Sequence, residues 1–322
     1  MADNSRASRT AVYNPTLATF AGLAFAWVWV LVTLGAFTTS IGAGMAFPDW
    51  PLSNGSLNPP GWLTTLDMFA EHSHRLSAGV MTTLTLILAI WIGMKEPRSW
   101  LRKLAIFAFV LVIAQAVVGG LRVLLEPKQV ESLDTTVGQL FAMLHAVLAQ
   151  MFASTLLAIA VACSRGWLSR PVPVRRGLQQ LGVLCCVLVF VQLAIAAVMR
   201  HSFAGLAIPF FPFSTNDHHL LPPIWGFKIA IQFAHRVMAL LLSIAALAYA
   251  IAIWRDPGAS QGMKTGASLM VSLLFLQVML GAAIVWTFRD TTIATAHVLV
   301  GALTLTTIFW LTWVAHRDRI ET

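Results

Sequence analysis

The chain has 322 residues, of which 58% are apolar and only 11% are charged. Soluble domains usually carry about 25% charged residues, so this composition, with a mean hydropathy of +0.77, excludes a water-soluble fold. It equally excludes a secreted disulfide scaffold and a large catalytic domain outside a membrane. The formal net charge of +8 comes from 21 basic and 13 acidic residues.

Long uncharged runs predict eight membrane-spanning helices, because each run is long enough to cross about 30 Å of hydrocarbon. The predicted ranges are 16–39, 67–94, 104–124, 135–164, 177–199, 227–254, 265–288 and 291–315. The first run is longer than the core of a signal peptide, so we expect it to be retained in the mature protein. The sequence therefore predicts an all-α integral membrane protein.

The basic residues indicate orientation rather than an anionic partner. Fourteen of the 21 lie at the two termini and in the loops 94–103, 164–176 and 255–264, which share one side if eight spans alternate. The positive-inside rule then places both termini in the cytoplasm. No Arg-rich transit segment precedes the first span, which favours a bacterial inner membrane. Nucleic acid is not an expected partner.

An internal repeat divides the chain into two halves. At a shift of 161 residues, the segment 35–53 aligns with 196–214 and matches one glycine and two prolines, and His74-Arg75 aligns with His235-Arg236. Four spans per repeat is an even number, so both halves face the same way. We expect two tandem, pseudo-symmetric four-helix bundles, covering residues 1–170 and 171–322.

Three cysteines, Cys163, Cys185 and Cys186, fall near the predicted cytoplasmic half of the bundle. None lies in a predicted outer loop, where a disulfide could persist, so we interpret them as packing residues. The sequence has no C-x-x-C-H motif, which excludes covalent heme attachment.

Four histidines are predicted inside the membrane, where ionisable residues are costly and usually functional. His74, His235 and His297 each lie seven residues beyond the charged residue that opens their helix, which corresponds to a depth of about 10 Å. His145 lies eleven residues beyond Asp134, nearer 16 Å deep. Each half thus carries two histidines in the outer half of the bilayer.

Two imidazoles facing each other across a four-helix bundle suit a flat macrocycle with iron between them. Zinc usually takes further Cys, His or carboxylate ligands, and only Glu71 is near enough in sequence to serve. Copper is weakly supported, because no thiolate lies at this depth. Non-covalent heme with bis-histidine ligation is therefore the preferred interpretation, against hydrogen-bonded packing histidines as the alternative.

One carboxylate distinguishes the two halves. Glu71 lies one helical turn before His74, whereas Gln232 holds the matching position before His235. A carboxylate beside a heme could act as a base on water or stabilise positive charge, so Glu71 is the candidate catalytic residue. The alternative is an acidic residue stabilised by the helix dipole.

Other polar residues near the histidines have two interpretations each. Arg75 and Arg236 could pair with heme propionates or orient Glu71, or could extend to the membrane interface. Arg200 and His201, at the mouth of the second half, could meet a propionate or a water chain. The repeated outer segments are plausible lids, and Trp50 alone could instead anchor the first at the interface. Gln115 with Gly119, and Gln277 with Gly281, most simply indicate close helix packing.

These residues resemble a known family, the heme A synthases of bacteria and mitochondria. The resemblance rests on E-x-x-H-R at Glu71–Arg75, on the histidines 145, 235 and 297, and on two segments, GAGMAFPDWPLSNG at 42–55 and RHSFAGLA at 200–207. It covers all eight spans.

The resemblance implies that the C-terminal half holds heme b as a cofactor, ligated by His235 and His297. The N-terminal half would receive heme O, with His74 and His145 ligating or positioning it, and would oxidise one ring methyl to a formyl group. Glu71 would be the essential carboxylate. The isoprenoid tail of heme O would partition into the bilayer. No nucleotide- or flavin-binding motif is present, so we expect an external electron acceptor or a route through the second heme.

One feature departs from the family. Many members have a cysteine pair in the first outer segment, and here Phe47 and Ser53 hold those positions, with Ile208 and Phe213 in the second segment. Any thiol-disulfide step is therefore absent or replaced.

The main alternative is a di-heme b-type electron-transfer protein, which explains four histidines but not Glu71. A small-molecule transporter would predict broken helices near the midplane, and the sequence shows none. Candidate partners are the heme O substrate, membrane lipid, a heme O synthase, an electron acceptor and a second copy of the chain.

Overall fold

The computed structural model describes residues 12–131, 135–169 and 172–321, and most of them are helical. The helices are α1 (Pro15–Ser40), α2 (Leu66–Lys95), α3 (Ser99–Leu124), α4 (Val137–Ala162), α5 (Arg165–Ser169), α6 (Arg176–His201), α7 (Phe227–Arg255), α8 (Gln261–Trp286), α9 (Thr291–Ala315) and α10 (Arg317–Ile320). One two-residue strand, β1 (Gln129–Val130), pairs antiparallel with another, β2 (Thr135–Thr136).

Eight of the helices in this part of the chain, all except the short α5 and α10, are long and apolar enough to cross a membrane. The prediction of an all-α, multi-span membrane protein is therefore confirmed. The predicted boundary between two halves falls at residues 170 and 171, which lie outside the described residues.

Helix ends differ from the predicted ranges for local reasons. α3 begins at Ser99 rather than 104, because Arg102 and Lys103 belong to its first turns, where long basic side chains can extend past the apolar core. α4 begins at Val137 rather than 135. Thr136 caps it by accepting a hydrogen bond from Gln139 N, and the Gln139 side chain accepts one from Thr136 N, which is a complete capping box.

The helices pack in two chain-order series. α1 to α4 contact one another in sequence and α1 also packs on α4, while α6 to α9 do the same and α6 packs on α9. Contacts of α4 with α6, and of α9 with α1 and α4, join the two series. In the most apolar 18-residue stretches of α4 and α9, 44% of the residues are buried, against 17% in α8. α4 and α9 therefore lie at the centre of the bundle, and α8 lies at its periphery.

Two ends of the bundle can be distinguished. The long-loop side carries the connections 41–65 and 202–226 and the short connection 287–290, and the termini side carries the connections 96–98 and 256–260 together with α5 and α10. On the termini side Arg98 donates to Glu96 (2.8 Å) and to Glu321 (3.0 Å), and Trp167 also donates to Glu321. These contacts hold the end of the chain against the α2–α3 connection.

Candidate functional site

The four predicted interior histidines lie at similar depths from the long-loop side. His74, His145 and His235 each come eight residues after the first residue of their helix, and His297 comes six after. This corresponds to about 9–12 Å below the helix ends. The greater depth predicted for His145 is wrong, because residues 135–136 form a strand and a cap instead of a first helical turn. Asp134, the reference for that depth, lies outside the described residues.

His145 is fixed by the neighbouring helix α3. Its Nδ1–H donates to the Gln115 carbonyl (3.1 Å), and the Gln115 side chain donates to the His145 carbonyl (2.9 Å). Gly119 makes room for the ring, since a methyl group there would come within 2.9 Å of His145 Cε1. The Nδ1 bond fixes the tautomer in which Nε2 carries the free lone pair, which is the form that ligates a metal.

His74 has a similar cradle on α1. A methyl group at Gly35 would come within 2.8 Å of His74 Cε1, so only glycine allows the ring this close to the α1 backbone. His74 Nδ1 is buried and has no hydrogen-bond partner. Buried polar atoms are usually satisfied, so an unpaired imidazole nitrogen here requires an explanation.

The second pair of histidines lies in the α6–α9 series. Gln192 Nε2 donates to His235 Nδ1 (3.0 Å), and Gln277 Nε2 donates to His297 Nε2 (3.2 Å). Gly281 leaves space beside the His297 ring, because a methyl group would come within 3.1 Å of its Cε1. The Gln277 and Gly281 positions therefore serve a histidine, as Gln115 and Gly119 do. The interpretation of these pairs as simple helix packing missed this role.

Several buried polar atoms in the second site lack partners: His297 Nδ1, Gln192 Oε1 and Gln277 Oε1. If the Gln192 amide turned over, its oxygen could accept from His235 Nδ1–H and leave Nε2 free to ligate a metal. The two imidazoles are close enough to interact electrostatically. A glycine cradle, two neighbouring imidazoles and amides able to orient them fit a bis-histidine heme.

A cavity of about 250 Å³ opens beside the first pair of histidines. Both His74 and His145 line it, and much of its wall consists of alanines from α2, α3, α4 and α6. At its deep end are Val28 and Val112, each twelve residues from the long-loop end of its helix, so the cavity reaches about 18 Å into the bundle. Small apolar walls leave room for a flat, largely apolar ligand.

The long-loop end of the cavity is cationic. Arg122 from α3 and Arg200 and His201 from α6 line it, and no Asp or Glu occurs among the described residues that form its wall. Arg200 and His201 thus contribute to the cavity of His74 and His145, although the sequence placed them at the mouth of the second half. Arg122 was not predicted, because the repeated pattern on α3 comprises Gln115 and Gly119, and Arg122 itself aligns with Ile284.

Arg75 points away from this cavity into the loop 41–65. Its guanidinium donates to the carbonyl oxygens of Phe47 (3.1 Å), Asp49 (2.7 Å) and Leu52 (2.5 Å). It also forms an ion pair with Glu71 (2.5 Å). Of the three roles considered for Arg75, the observed contacts are those of a residue that orients Glu71 and the loop.

Arg236 does the same for the loop 202–226. It donates to the carbonyl oxygens of Ile208 (3.1 Å), Phe210 (2.6 Å) and Phe213 (3.1 Å). These three acceptors correspond, at the repeat shift of 161, to the three carbonyls that Arg75 contacts. Both arginines therefore hold a long loop over the end of a helix series.

Glu71 is buried, with 4% of its surface exposed, and it does not line the cavity. Its Oε2 accepts hydrogen bonds from the backbone N–H of Ala46 (2.6 Å) and Phe47 (3.2 Å). Gln232 occupies the equivalent place, accepting from Ile208 N and donating to the Gly205 carbonyl (2.8 Å). Glu71 and Gln232 thus share an anchoring position, and only Glu71 adds a charge there.

His72 is a residue that the sequence analysis missed. Its Nε2–H donates to the Leu57 carbonyl (3.1 Å), and the Ser53 hydroxyl donates to its Nδ1 (3.0 Å). The Phe47 ring packs on it, with 5.9 Å between ring centroids. His72 therefore contacts both Phe47 and Ser53, the two positions that the resemblance matched to a cysteine pair. A histidine two residues before His74 was the available signal.

Asp49 shapes the turn at the tip of the same loop. Its carboxylate accepts hydrogen bonds from the backbone N–H groups of Asn54 and Gly55, both at 2.7 Å. The bond from Gly55, supported by that from Asn54, holds the pKa of Asp49 below its ordinary value. The turn needs backbone with positive φ at both residues, +51° at Asn54 and +71° at Gly55.

Together these features define a polytopic helical membrane protein with two interior histidine pairs, one of them beside a small-walled cavity. The chain belongs to the COX15-CtaA family, described as cytochrome oxidase assembly protein, whose model matches residues 18–309.

Individual relatives of the chain carry a common name. It is 29% identical to the heme A synthase of Bacillus licheniformis over 84% of this chain and 86% of the relative. It is 26% identical to the heme A synthase of Listeria monocytogenes over 92% of this chain and 97% of the relative. It is also 26% identical to the heme A synthase of Shouchella clausii, over 91% of this chain and 95% of the relative.

Proposed function

We propose that this protein is a heme A synthase, which converts heme O to heme A by oxidising one ring methyl to a formyl group. Family membership and the shared name of its relatives support this activity. The observation that carries the proposal is the membrane-embedded cavity, which presents His74 and His145 beside small apolar walls. A porphyrin with an isoprenoid tail needs a site of this kind within the bilayer.

The chemistry sets what the protein must provide. Converting –CH3 to –CHO with water as the oxygen source releases four electrons and four protons. Two successive hydroxylations each replace one C–H by C–OH, and the resulting geminal diol then loses water to leave the aldehyde. The protein must therefore hold the ring in place, admit water and pass electrons to an acceptor outside the chain.

His235 and His297 are the proposed ligands of a resident heme b, with Arg236 holding the loop above them. A heme bound there would supply one-electron redox chemistry. The unpaired Nδ1 of His297 and the reorientable Gln192 amide support this assignment. His74 and His145 are proposed to ligate or position the substrate, and Arg75 to hold Glu71 and the first loop.

We further propose that the two helix series are tandem, related units, residues 1–170 and 171–322. The paired contacts of Arg75 and Arg236, and of Glu71 and Gln232, support a common origin. We place the protein in the cell inner membrane with both termini in the cytoplasm, on the basis of its basic loops. The long-loop side, nearer to both histidine pairs, would then face outward.

The proposal is tested by expressing the chain in a host that makes heme O but lacks a heme A synthase of its own. Pigments extracted from the membranes and from the purified protein are identified by mass. We expect heme A in the membranes, and heme O, heme A or a hydroxylated intermediate together with heme b in the protein. Cells carrying the empty vector are the control. Equal amounts of heme b in both sites, with no heme A, would instead indicate a di-heme electron carrier.

A further inference from the structure

We propose that Arg122 and Arg200 form a carboxylate-binding site at the long-loop end of the cavity, where they hold the propionates of the substrate porphyrin. This inference rests on the proposed function, and it names the residues that orient the substrate. This pair takes the propionate-binding role considered above for Arg75, because the Arg75 guanidinium is already bound by three loop carbonyls and Glu71.

The charge of the cavity matches a ligand with carboxylates. Arg122, Arg200 and His201 line one end, and the described wall contains no acidic side chain. Arginine stays protonated in proteins, so two guanidinium groups in an apolar surrounding create a strongly positive potential. A ligand with carboxylates at one edge and apolar atoms elsewhere matches both the cationic end and the alanine-rich remainder.

The guanidinium of Arg122 is available to bind a ligand. Its guanidinium lies against the backbone at Gly44, where a side chain would collide with it. Within the described part of the chain it makes no hydrogen bond or ion pair, although Glu71 and Glu126 lie within electrostatic range. Its guanidinium donors are therefore available at the cavity wall, where a bidentate carboxylate would pair with them.

Arg200 is also positioned to bind a carboxylate. It donates to the Ser40 hydroxyl (2.9 Å) and the Ala36 carbonyl (3.2 Å) in the last turns of α1. Because these two bonds use one nitrogen, Nη2, the remaining donors of the guanidinium are free for a ligand. Arg200 and Arg122 interact electrostatically across the cavity.

Neither arginine of the pair has an arginine at the matching position of the repeat. At the repeat shifts of 162 and 161, Arg122 aligns with Ile284 and Arg200 aligns with Thr39. The contacts that hold the two long loops occur in both halves, whereas these two arginines have no counterpart. An arginine pair that the repeat does not duplicate distinguishes the cavity of His74 and His145, and we infer that it binds and orients a substrate there.

The position of the two arginines also fixes the orientation of the porphyrin in the cavity. Propionates held at the long-loop end direct the opposite, apolar edge of the porphyrin toward Val28 and Val112, about 18 Å into the bundle. An isoprenoid tail leaving that edge would enter the hydrocarbon region. His74 and His145 lie between these two ends, at the depth where a ring so anchored would have its centre.

The test compares two probes on the purified protein containing its resident heme. Iron protoporphyrin IX carries two free propionates, and its dimethyl ester carries none but has the same ring. We expect the wild-type protein to bind the diacid at least tenfold more tightly than the ester. Arg122→Gln and Arg200→Gln should each weaken diacid binding about tenfold, as expected for losing a charge-assisted hydrogen bond, and leave ester binding unchanged.

Two variants serve as controls. Arg102→Gln removes an exposed arginine at the other end of the same helix and should change neither affinity. Arg122→Lys keeps the charge and should keep part of the preference for the diacid. Equal wild-type affinities for both probes, or Gln variants that weaken both probes alike, would overturn the propionate site. Failure of the proposed function would look different, as wild-type protein that binds neither probe and yields no heme A.

Discussion

Substituting Gly119 by alanine tests whether the glycine cradle positions His145 for ligation. The added methyl group would lie 2.9 Å from His145 Cε1 and 3.2 Å from its Nδ1. Carbon atoms pack best at about 3.5–4.0 Å, so the ring must move by roughly 0.6 Å or more. That shift strains the 3.1 Å bond from His145 to the Gln115 carbonyl. Misplacement on this scale typically costs a site about tenfold to a hundredfold.

The stability effect of the same change is small by comparison. Overpacking costs about 1–3 kcal/mol, and replacing glycine by alanine within a helix returns about 1 kcal/mol. We therefore expect Gly119→Ala to fold but to lose most of its heme A production and most of its heme binding in the first site. Gly79→Ala is the matched control, because no atom lies within 4 Å of the methyl group it would add.

The assay measures heme A by mass and first-site binding from the absorption spectrum, both relative to the amount of folded protein. A Gly119→Ala protein that binds and converts heme like Gly79→Ala would refute the reasoning. In that case His145 either tolerates the shift or does not hold the substrate.

Three further outcomes follow from contacts outside the cavity. Ser53→Ala leaves His72 Nδ1 buried without its donor, so thermal unfolding should show a loss of about 1–3 kcal/mol, whereas Ser53→Thr should retain stability. Burial raises the pKa of Glu96, but hydrogen bonds from Arg98 outweigh this effect and hold the pKa below its ordinary 4.5. The stability that results is present above pH 4.5 and is lost as the pH falls. Glu96→Gln should remove this pH dependence of stability, as measured by thermal unfolding. Burial raises the pKa of the Cys163 thiol to about 11, so alkylation at neutral pH should be slow until the protein is denatured, and rapid labelling of folded protein would contradict its burial.

The spans and the interior histidines could be predicted because both depend on local sequence. A run of about 20 apolar residues has one low-energy arrangement in a bilayer, and a histidine within it is conspicuous. Helix ends were less predictable. Lys264 lies inside α8, which begins at Gln261 rather than 265, because Ser260 caps it by accepting from Met263 N.

The contacts of the polar side chains could not be predicted from their positions in the sequence. Arg75 contacts carbonyls 23 to 28 residues away in a loop whose path the sequence does not specify. Arg122 and Arg200 belong to different helix series, and the packing of the two series against each other brings them to one cavity. Sequence patterns report neighbours on one helix face, whereas this site depends on three-dimensional packing between helices.

Glu71 is the residue for which the predicted role and the observed contacts differ most, and Glu71→Gln separates the two. Gln232 shows that an amide oxygen can accept the backbone N–H of an outer loop at this position. The variant should therefore keep the anchor to Phe47 and lose only the charge that pairs with Arg75. Protease protection of the loop 41–65 would report the anchor, and Glu71→Ala, which removes anchor and charge together, should lose that protection.

We expect Glu71→Gln to retain bound heme and loop protection but to lose heme A production. A carboxylate can act as a base on water or stabilise developing positive charge, whereas an amide can do neither. Because Glu71 lies outside the cavity wall, such an effect would have to reach the substrate through Arg75, through the nearby Arg122, or through movement of the loop. Normal heme A production by Glu71→Gln would show that the charge is dispensable, and that Glu71, like Gln232, only holds its loop in place.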